Sequence, residues 1–254
     1  NLSVRGVVYL ANDEQNQNSS TITKYNLENN PISFTEDNFY VNKKTLASSE
    51  IELKYSPNDK NYITNLFIFK NNPNKTANNL LFNTDIINQN STSENYTIYN
   101  HFNHTLQLTE KTVLNNYFYI GNDKIDEKSK ISSPFLNSFL SLDTNQIINQ
   151  NAKNKLFYIG SKSKVISKFR KIDLTNTIQF EYSNEQFKND FITNNQSIET
   201  YQNNASLKIL NLFQENTMRY NFSRKIDLTT NLNFQNTQFN NNSFSKNLFV
   251  INPS

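Results

Sequence analysis

The chain has 254 residues, of which 35% are hydrophobic, 13% are aromatic and 49 are asparagine, and its formal net charge is +3 at pH 7. The absence of cysteine excludes a disulfide scaffold and thiolate metal sites, and the scattered Lys and Arg residues form no basic stripe of the kind that binds nucleic acid. No apolar run approaches the roughly 18 residues that a transmembrane helix needs, while 20 Phe and 13 Tyr argue against disorder.

Apolar and polar residues alternate with a period of two along much of the chain, which predicts half-buried β-strands. In 174–182, for example, Leu174, Ile178 and Phe180 share one parity, and Thr175 and Gln179 share the other. The strands that we predict, in chain order, lie near 1–11, 44–56, 60–70, 94–109, 112–121, 153–169, 173–183, 204–223, 227–237 and 245–254. Part of the first polar stretch, Thr21–Leu27, is expected to extend the sheet.

At every second connection, two successive strands are joined by a short polar segment of hairpin length. The candidate tight-turn residues are Pro57, Asn58, Glu110, Lys111, Arg170, Asp173, Arg224 and Asp227. Between the tight turns lie stretches rich in Asn, Ser, Thr and Lys, which we predict to be long loops, near 12–43, 71–93, 122–152 and 184–203.

This order of tight turn, strand, long polar stretch and strand is typical of an outer-membrane barrel. We therefore predict an all-β fold, a curved antiparallel meander of about ten long strands that forms part of a transmembrane β-barrel, with short turns on one rim and long loops on the other. Residues 1–254 would all belong to a single barrel domain, truncated at both ends, whose first and last strands do not pair with each other. The alternative is that the aromatic residues pack in the core of a soluble β-protein.

In a barrel of this kind the apolar face meets lipid, and the Thr, Asn, Gln and Glu face lines a polar lumen. Aromatic residues beside the tight turns, such as Tyr55, Tyr62 and Phe169, suit an interfacial girdle. The candidate lipid-facing residues are Leu174, Ile178, Phe180, Tyr182, Tyr220, Leu228, Leu232 and Phe234.

Two short sequences occur twice. Phe118-Tyr119-Ile120-Gly121 recurs as Phe157-Tyr158-Ile159-Gly160, and the turn sequence of 169–175 closely matches that of 222–229. We interpret the repeats as hairpins that meet the same demands, with lipid outside, lumen inside and an interface at each end.

The long strands, the Lys/Arg-Ile-Asp-Leu turns and the closing stretch 247–254 resemble the barrel portion of TonB-dependent-receptor-like outer-membrane proteins. The resemblance extends over the whole chain and consists of this general pattern of strands and turns rather than of a catalytic motif. It is closest to the barrel family that often follows a carboxypeptidase-regulatory-like domain. It implies a parent with more strands, a separate plug and a TonB system as partners. Neither a plug nor a TonB-contacting segment is recognisable in these residues.

Motifs with catalytic or metal-binding potential are weak. His101 and His104 could share a metal on a helix, but strand alternation puts them on opposite faces. Asp123, Asp126 and Glu127 cluster where we predict a loop, and their spacing matches no calcium-binding pattern. We expect no enzyme activity, no cofactor and no metal.

The leading hypothesis is therefore a segment of an outer-membrane receptor or transporter. Its expected partners are outer-membrane lipid and an unidentified ligand at the long loops, and its parent would bind a surface ligand or take up a nutrient. The alternative is a secreted or cell-surface β-rich adhesin or glycan-binding protein, in which the apolar face would be buried against a second sheet.

Overall fold

The computed structural model describes residues 1–25, 32–83, 85–143, 146–193, 196–198, 202–223, 226–241 and 245–253. Its strands are β1 Leu2–Tyr25, β2 Ile32–Asn58, β3 Asn61–Asn71, β4 Asn74–Phe82, β5 Asp85–Thr109, β6 Thr112–Ser132, β7 Ile147–Phe169, β8 Ile172–Thr193, β9 Gln196–Ser197, β10 Asn203–Ser223, β11 Ile226–Asn241 and β12 Ser245–Pro253. One short helix, α1, spans Pro134–Phe139. No helix in the described ranges is long and apolar enough to cross a membrane.

All twelve described strands belong to one sheet, and every described pair is antiparallel. Ten of them follow one another in the order β1-β2-β3-β5-β6-β7-β8-β10-β11-β12, which confirms the predicted meander of about ten long strands. Within the described residues β1 pairs only with β2, and β12 pairs only with β11, so the sheet is open.

Several strands, among them β1, β2, β5, β6 and β8, are much longer than the sequence predicts, whereas β3, β10 and β12 have nearly the predicted bounds. Stretches expected to be loops, such as 12–25 and 122–132, continue the strands beside them with an unbroken register. Both faces of the sheet are polar there, so no apolar alternation marks these strands in the sequence, and the backbone ladder alone defines them.

β3 and β4 form one straight strand with a local interruption at Asn72-Pro73. β3 and β4 pair with β2 in the same register, and they pair with β5 in the same register. No residue is therefore inserted at the break. Pro73 has no N–H for the ladder, but its carbonyl oxygen still accepts a hydrogen bond from the Thr45 N–H at 3.0 Å.

The described tight turns are two-residue loops, and they contain three of the predicted turn residues. Asp59-Lys60, Glu110-Lys111 and Arg170-Lys171 are the described loops. Glu110, Lys111 and Arg170 are thus correctly placed, and Arg170 adopts a left-handed φ of 48°.

The other turn candidates need correction. Pro57 and Asn58 end β2, where an extra residue between Tyr55 and Asn58 forms a bulge that a proline tolerates. Asp173 and Asp227 are the second residues of β8 and β11, because a two-residue loop returns to the ladder sooner than expected. Arg224 lies outside the described residues.

The burial pattern indicates a curved sheet with one concave and one convex face. The six strand residues with buried side chains all lie on one face, although no second layer covers it in the described part of the chain. In a curved sheet, side chains on the inner face converge and shield one another, whereas those on the outer face diverge and stay exposed. The buried residues that define the concave face are Ile68, Ser129, Ile148, Thr177, Thr193 and Thr237.

Candidate functional site

Aromatic and acidic side chains from four adjacent strands gather on the concave face. The register aligns them although they are far apart in sequence: His101 lies opposite Tyr119, Tyr119 opposite Gly160, and Gly160 opposite Glu181. We call this group the tyrosine cluster, and its members are Tyr99, His101, Tyr117, Tyr119, Tyr158 and Glu181.

The rings of the tyrosine cluster contact one another in series. Ring centroids are 4.9 Å apart for Tyr99 and His101, 5.7 Å for His101 and Tyr117, and 5.6 Å for Tyr117 and Tyr119. Tyr158 extends the series, with its centroid 6.2 Å from that of Tyr119. Because each ring is only half-buried, the cluster forms an aromatic surface directed toward the inside of the curved sheet.

The repeated Phe-Tyr-Ile-Gly sequence gives this surface its local symmetry. The two copies pair antiparallel, so Tyr119 lies opposite Gly160 and Tyr158 lies opposite Gly121. The distal end of each ring covers the facing glycine, whose hypothetical Cβ would be only 2.2–2.6 Å from the ring atoms. Because each glycine has no side chain, the ring of the opposite tyrosine can lie directly over it.

Hydrogen bonds connect the rings to an acidic group. The Tyr119 hydroxyl donates to Glu181 Oε1 at 2.9 Å, and Gln179 Nε2 donates to the same oxygen at 2.7 Å. His101 Nδ1 lies within hydrogen-bonding distance of the Tyr117 hydroxyl. Ring faces beside hydroxyl, imidazole and carboxylate groups can stack on a flat ligand and hydrogen-bond its edge.

Charged side chains occupy the same face nearer the first strand. The Arg5 guanidinium contacts Glu50 at 2.8 Å and Glu52 at 3.5 Å, and Lys54 Nζ lies 3.0 Å from Glu52. The Arg5 side chain is 61% exposed, so these pairs add little to stability. They place positively and negatively charged side chains next to one another on the concave face.

The eight candidate lipid-facing residues all fall on the convex face by register. Exposure is 40% for Leu174, 55% for Ile178 and 39% for Leu232, and Phe180, Tyr182, Tyr220 and Phe234 are half-buried. The backbone of Leu228 pairs with Tyr220, while its side chain lies outside the described part. No second sheet covers this face in the described residues. Their contact with lipid stays a prediction.

Polar side chains within the apolar convex face satisfy one another across strands. Asn65 and Asn100 exchange two hydrogen bonds of 2.9 and 3.0 Å, and Ser163 Oγ donates to Asn116 Oδ1 at 2.8 Å. An amide without a partner in an apolar medium is costly, and pairing removes much of that cost. Sequence reasoning missed these pairs, because only the register reveals them.

The two histidines point to opposite faces, as their spacing on a strand requires. His101 belongs to the concave tyrosine cluster, whereas His104 Nε2 lies 3.0 Å from Asn61 Oδ1 on the convex face. No group of three potential metal ligands occurs among the residues that the structure describes.

The acidic residues predicted to lie in a loop lie on β6 instead. Asp123 is on the concave face and Asp126 on the convex face, so their carboxylates cannot converge on one ion. Asp126 Oδ2 lies 3.8 Å from Lys124 Nζ and 3.6 Å from Lys153 Nζ. The long strand replaces the loop here because its backbone pairs with β5 and β7 over its whole length.

Two corrections concern aromatic residues. Sequence reasoning assigned the lumen face to Thr, Asn, Gln and Glu, and missed the tyrosine cluster; the repeated Phe-Tyr-Ile-Gly sequence was the available signal. Tyr62, expected in a girdle, lies on the concave face, while Tyr55 and Phe169 lie on the convex face.

Comparison with solved structures identifies the class of fold. The outer-membrane ferripyoverdine receptor of Pseudomonas aeruginosa matches with a TM-score of 0.56 and 10% identity over 98% of this chain and 39% of the receptor. The P. aeruginosa receptor FpvA bound to a heterologous pyoverdine gives 0.54 and 9% over 98% and 38%. The ferric yersiniabactin uptake receptor of Yersinia pestis gives 0.44 and 7% over 88% and 49%.

The chain thus has the fold of part of an outer-membrane receptor barrel, which confirms the predicted resemblance to TonB-dependent receptors at the level of the fold. It spans between 38% and 49% of the length of these three receptors. No protein-family model matches the chain, and no curated protein matches its sequence.

Proposed function

We propose that this chain forms part of the wall of an outer-membrane receptor or transporter, and that its parent binds a ligand or takes up a nutrient. The tyrosine cluster carries the proposal, because it places half-buried rings, hydroxyls and a carboxylate on the face that a barrel turns toward its lumen. The proposed role is binding, since stacking with hydrogen bonding suffices to hold a ligand.

The opposite face supports the membrane location. Near the tight turns its exposed residues are mainly apolar, and the strand from the turn to Tyr182 has about 11 residues, the length that a tilted strand needs to cross the hydrocarbon. A soluble adhesin would have to bury this surface against a second layer, and none is present in the described residues. The partners in this proposal are lipid outside and, inside, a ligand, a plug and the TonB system.

The full-length protein tests the proposal in its source bacterium. A strain that lacks the gene is complemented with the wild type, with Tyr119→Ala/Tyr158→Ala, or with the convex-face control Tyr55→Ala/Tyr220→Ala, and growth is compared on panels of single nutrient sources. We expect all three proteins in the outer-membrane fraction. On at least one limiting nutrient, the cluster variant should grow about tenfold less, as expected when roughly 1–2 kcal/mol of stacking is lost.

Two results would contradict the proposal. Recovery of the wild type in the soluble fraction would exclude the membrane location. Equal growth of the cluster variant and the control on every nutrient would show that the tyrosine cluster does not bind the ligand.

A further inference from the structure

A band of lysine side chains crosses the convex face just beyond the apolar region. Lys124 on β6 lies opposite Lys155 on β7, and Lys153 on β7 lies opposite Lys188 on β8. We call these four residues the lysine collar. Like charges directly opposite on neighbouring strands destabilise a sheet, so their placement needs a compensating interaction.

Carboxylates of the chain compensate only part of this charge. Asp126 lies 3.8 Å from Lys124 and 3.6 Å from Lys153, and Asp190 lies 2.9 Å from Lys188. Lys155 forms no ion pair within the described ranges. The four collar lysines and the two carboxylates paired with them leave two positive charges in excess. Glu94 and Lys128, nearby on the same face, offset each other, so the collar can accept an anion.

A groove lies against the collar on the same face. It has a volume of about 410 Å³, and its lining includes Lys153, Lys155, Lys188, Gln186 and Ser206. Lys153 and Lys188 are 47% and 56% exposed, so their ammonium groups can turn toward a bound group. Ammonium, amide and hydroxyl donors together suit the oxygens of a phosphate.

The height of the collar identifies the source of that phosphate. On β6, β7 and β8 the last row that is apolar on all three strands joins Ile120, Ile159 and Tyr182, and the next row holds Phe157 between Asn122 and Asn184. The row of Lys155 is four residues beyond Ile159 along the strand, about 13 Å. Tyr96 lies in the same row with Lys124 Nζ 5.7 Å from its ring centre. A tyrosine with lysines beyond an apolar band is typical of a membrane–water interface.

We propose that the lysine collar binds the phosphate groups of a lipid headgroup, in the leaflet that surrounds the long ends of the strands. The inference rests on the proposed membrane function and adds the chemical class of the lipid. Continuity with the apolar convex face favours a lipid over a soluble anion, because the acyl chains would lie against the row of Tyr182, Ile159 and Ile120.

The test uses full-length protein in phosphatidylcholine nanodiscs that contain a small fraction of lipid A, whose headgroup carries phosphates. Retained lipid A is counted by native mass spectrometry for the wild type, for Lys153→Gln/Lys155→Gln/Lys188→Gln, and for the concave-face control Lys70→Gln/Lys162→Gln/Lys164→Gln. We expect the collar variant to retain at least about tenfold less lipid A, given about 1 kcal/mol for each basic residue near an anionic surface, while the control retains as much as the wild type.

Equal retention by the collar variant and the wild type would overturn the lipid inference and leave the membrane function intact. Complete displacement of lipid A by millimolar inorganic phosphate would also overturn it, by assigning the collar to a soluble anion. Failure of the wild type to insert into nanodiscs would overturn both this inference and the proposed function.

Discussion

At the scale of single residues, two glycines have a more specific role than flexibility. Gly121 and Gly160 are buried in the middle of strands, where glycine is normally unfavourable. Each is covered by a tyrosine of the neighbouring strand, so the cost of the glycine is offset by ring contact. Gly6, which also lies within a strand, has no atom within 4 Å of a hypothetical Cβ and shows no such role.

This difference predicts opposite effects for one substitution at two sites. Gly160→Ala should lower the free energy of unfolding by about 1–2 kcal/mol, because the Cβ displaces the Tyr119 ring and weakens its hydrogen bond to Glu181. Gly6→Ala should be neutral or stabilising by up to about 1 kcal/mol. Urea unfolding of the full-length protein in vesicles measures both. Equal effects at the two sites would show that the tyrosine contact contributes nothing.

At the scale of elements, the sequence predicts only the part of β2, β5, β6 and β8 that lies near a tight turn, whereas β3 and β10 are predicted almost in full. Near the turns, Leu174, Ile178 and Phe180 alternate with polar residues, because one face is apolar. Beyond Tyr182 both faces carry polar side chains, so the pattern that predicts a strand disappears while the backbone ladder continues. The tyrosine cluster could not be predicted either, since Tyr119 and Glu181 are 62 residues apart and only the register brings them together.

The apolar face of β8 gives a prediction for the element. Ile178→Arg puts a charge on the convex face and should lower the free energy of unfolding in lipid vesicles by about 2–4 kcal/mol if the site lies near mid-bilayer. Gln179→Arg, one residue away on the concave face, should cost less than about 1 kcal/mol, because the lumen accepts charge. Urea unfolding in vesicles compares them. A larger cost for the concave substitution would place the lipid on the other side of the sheet.

At the scale of the whole molecule, the antiparallel register aligns the change from apolar to charged side chains on neighbouring strands of the convex face. On β6, β7 and β8 the convex face is apolar as far as the row of Ile120, Ile159 and Tyr182. The next row is mixed, with Phe157 between two asparagines, and the charged rows begin at Lys155 and Lys124. Strands of 21 to 27 residues therefore extend well past the roughly 9–11 residues that cross the hydrocarbon. Under the proposed function, the apolar belt would face the membrane and the polar wall would continue into water.

These 254 residues contain no cysteine, so a single cysteine placed on β8 is the only thiol in this part of the protein. Single cysteines placed along β8 in the full-length protein carry a nitroxide label, whose collisions with oxygen report lipid and whose collisions with a water-soluble nickel complex report solvent. Labels at Leu174, Ile178 and Tyr182 should favour oxygen, and labels at Gln186 and Lys188 should favour nickel, with the crossover after Tyr182. Labels at odd-numbered positions such as Thr177 and Gln179 should not show an oxygen maximum, because the concave face is screened from lipid. A crossover nearer the tight turn, or the same profile on both parities, would contradict a belt set by the strand register, since alternate residues on a strand face opposite sides of the sheet.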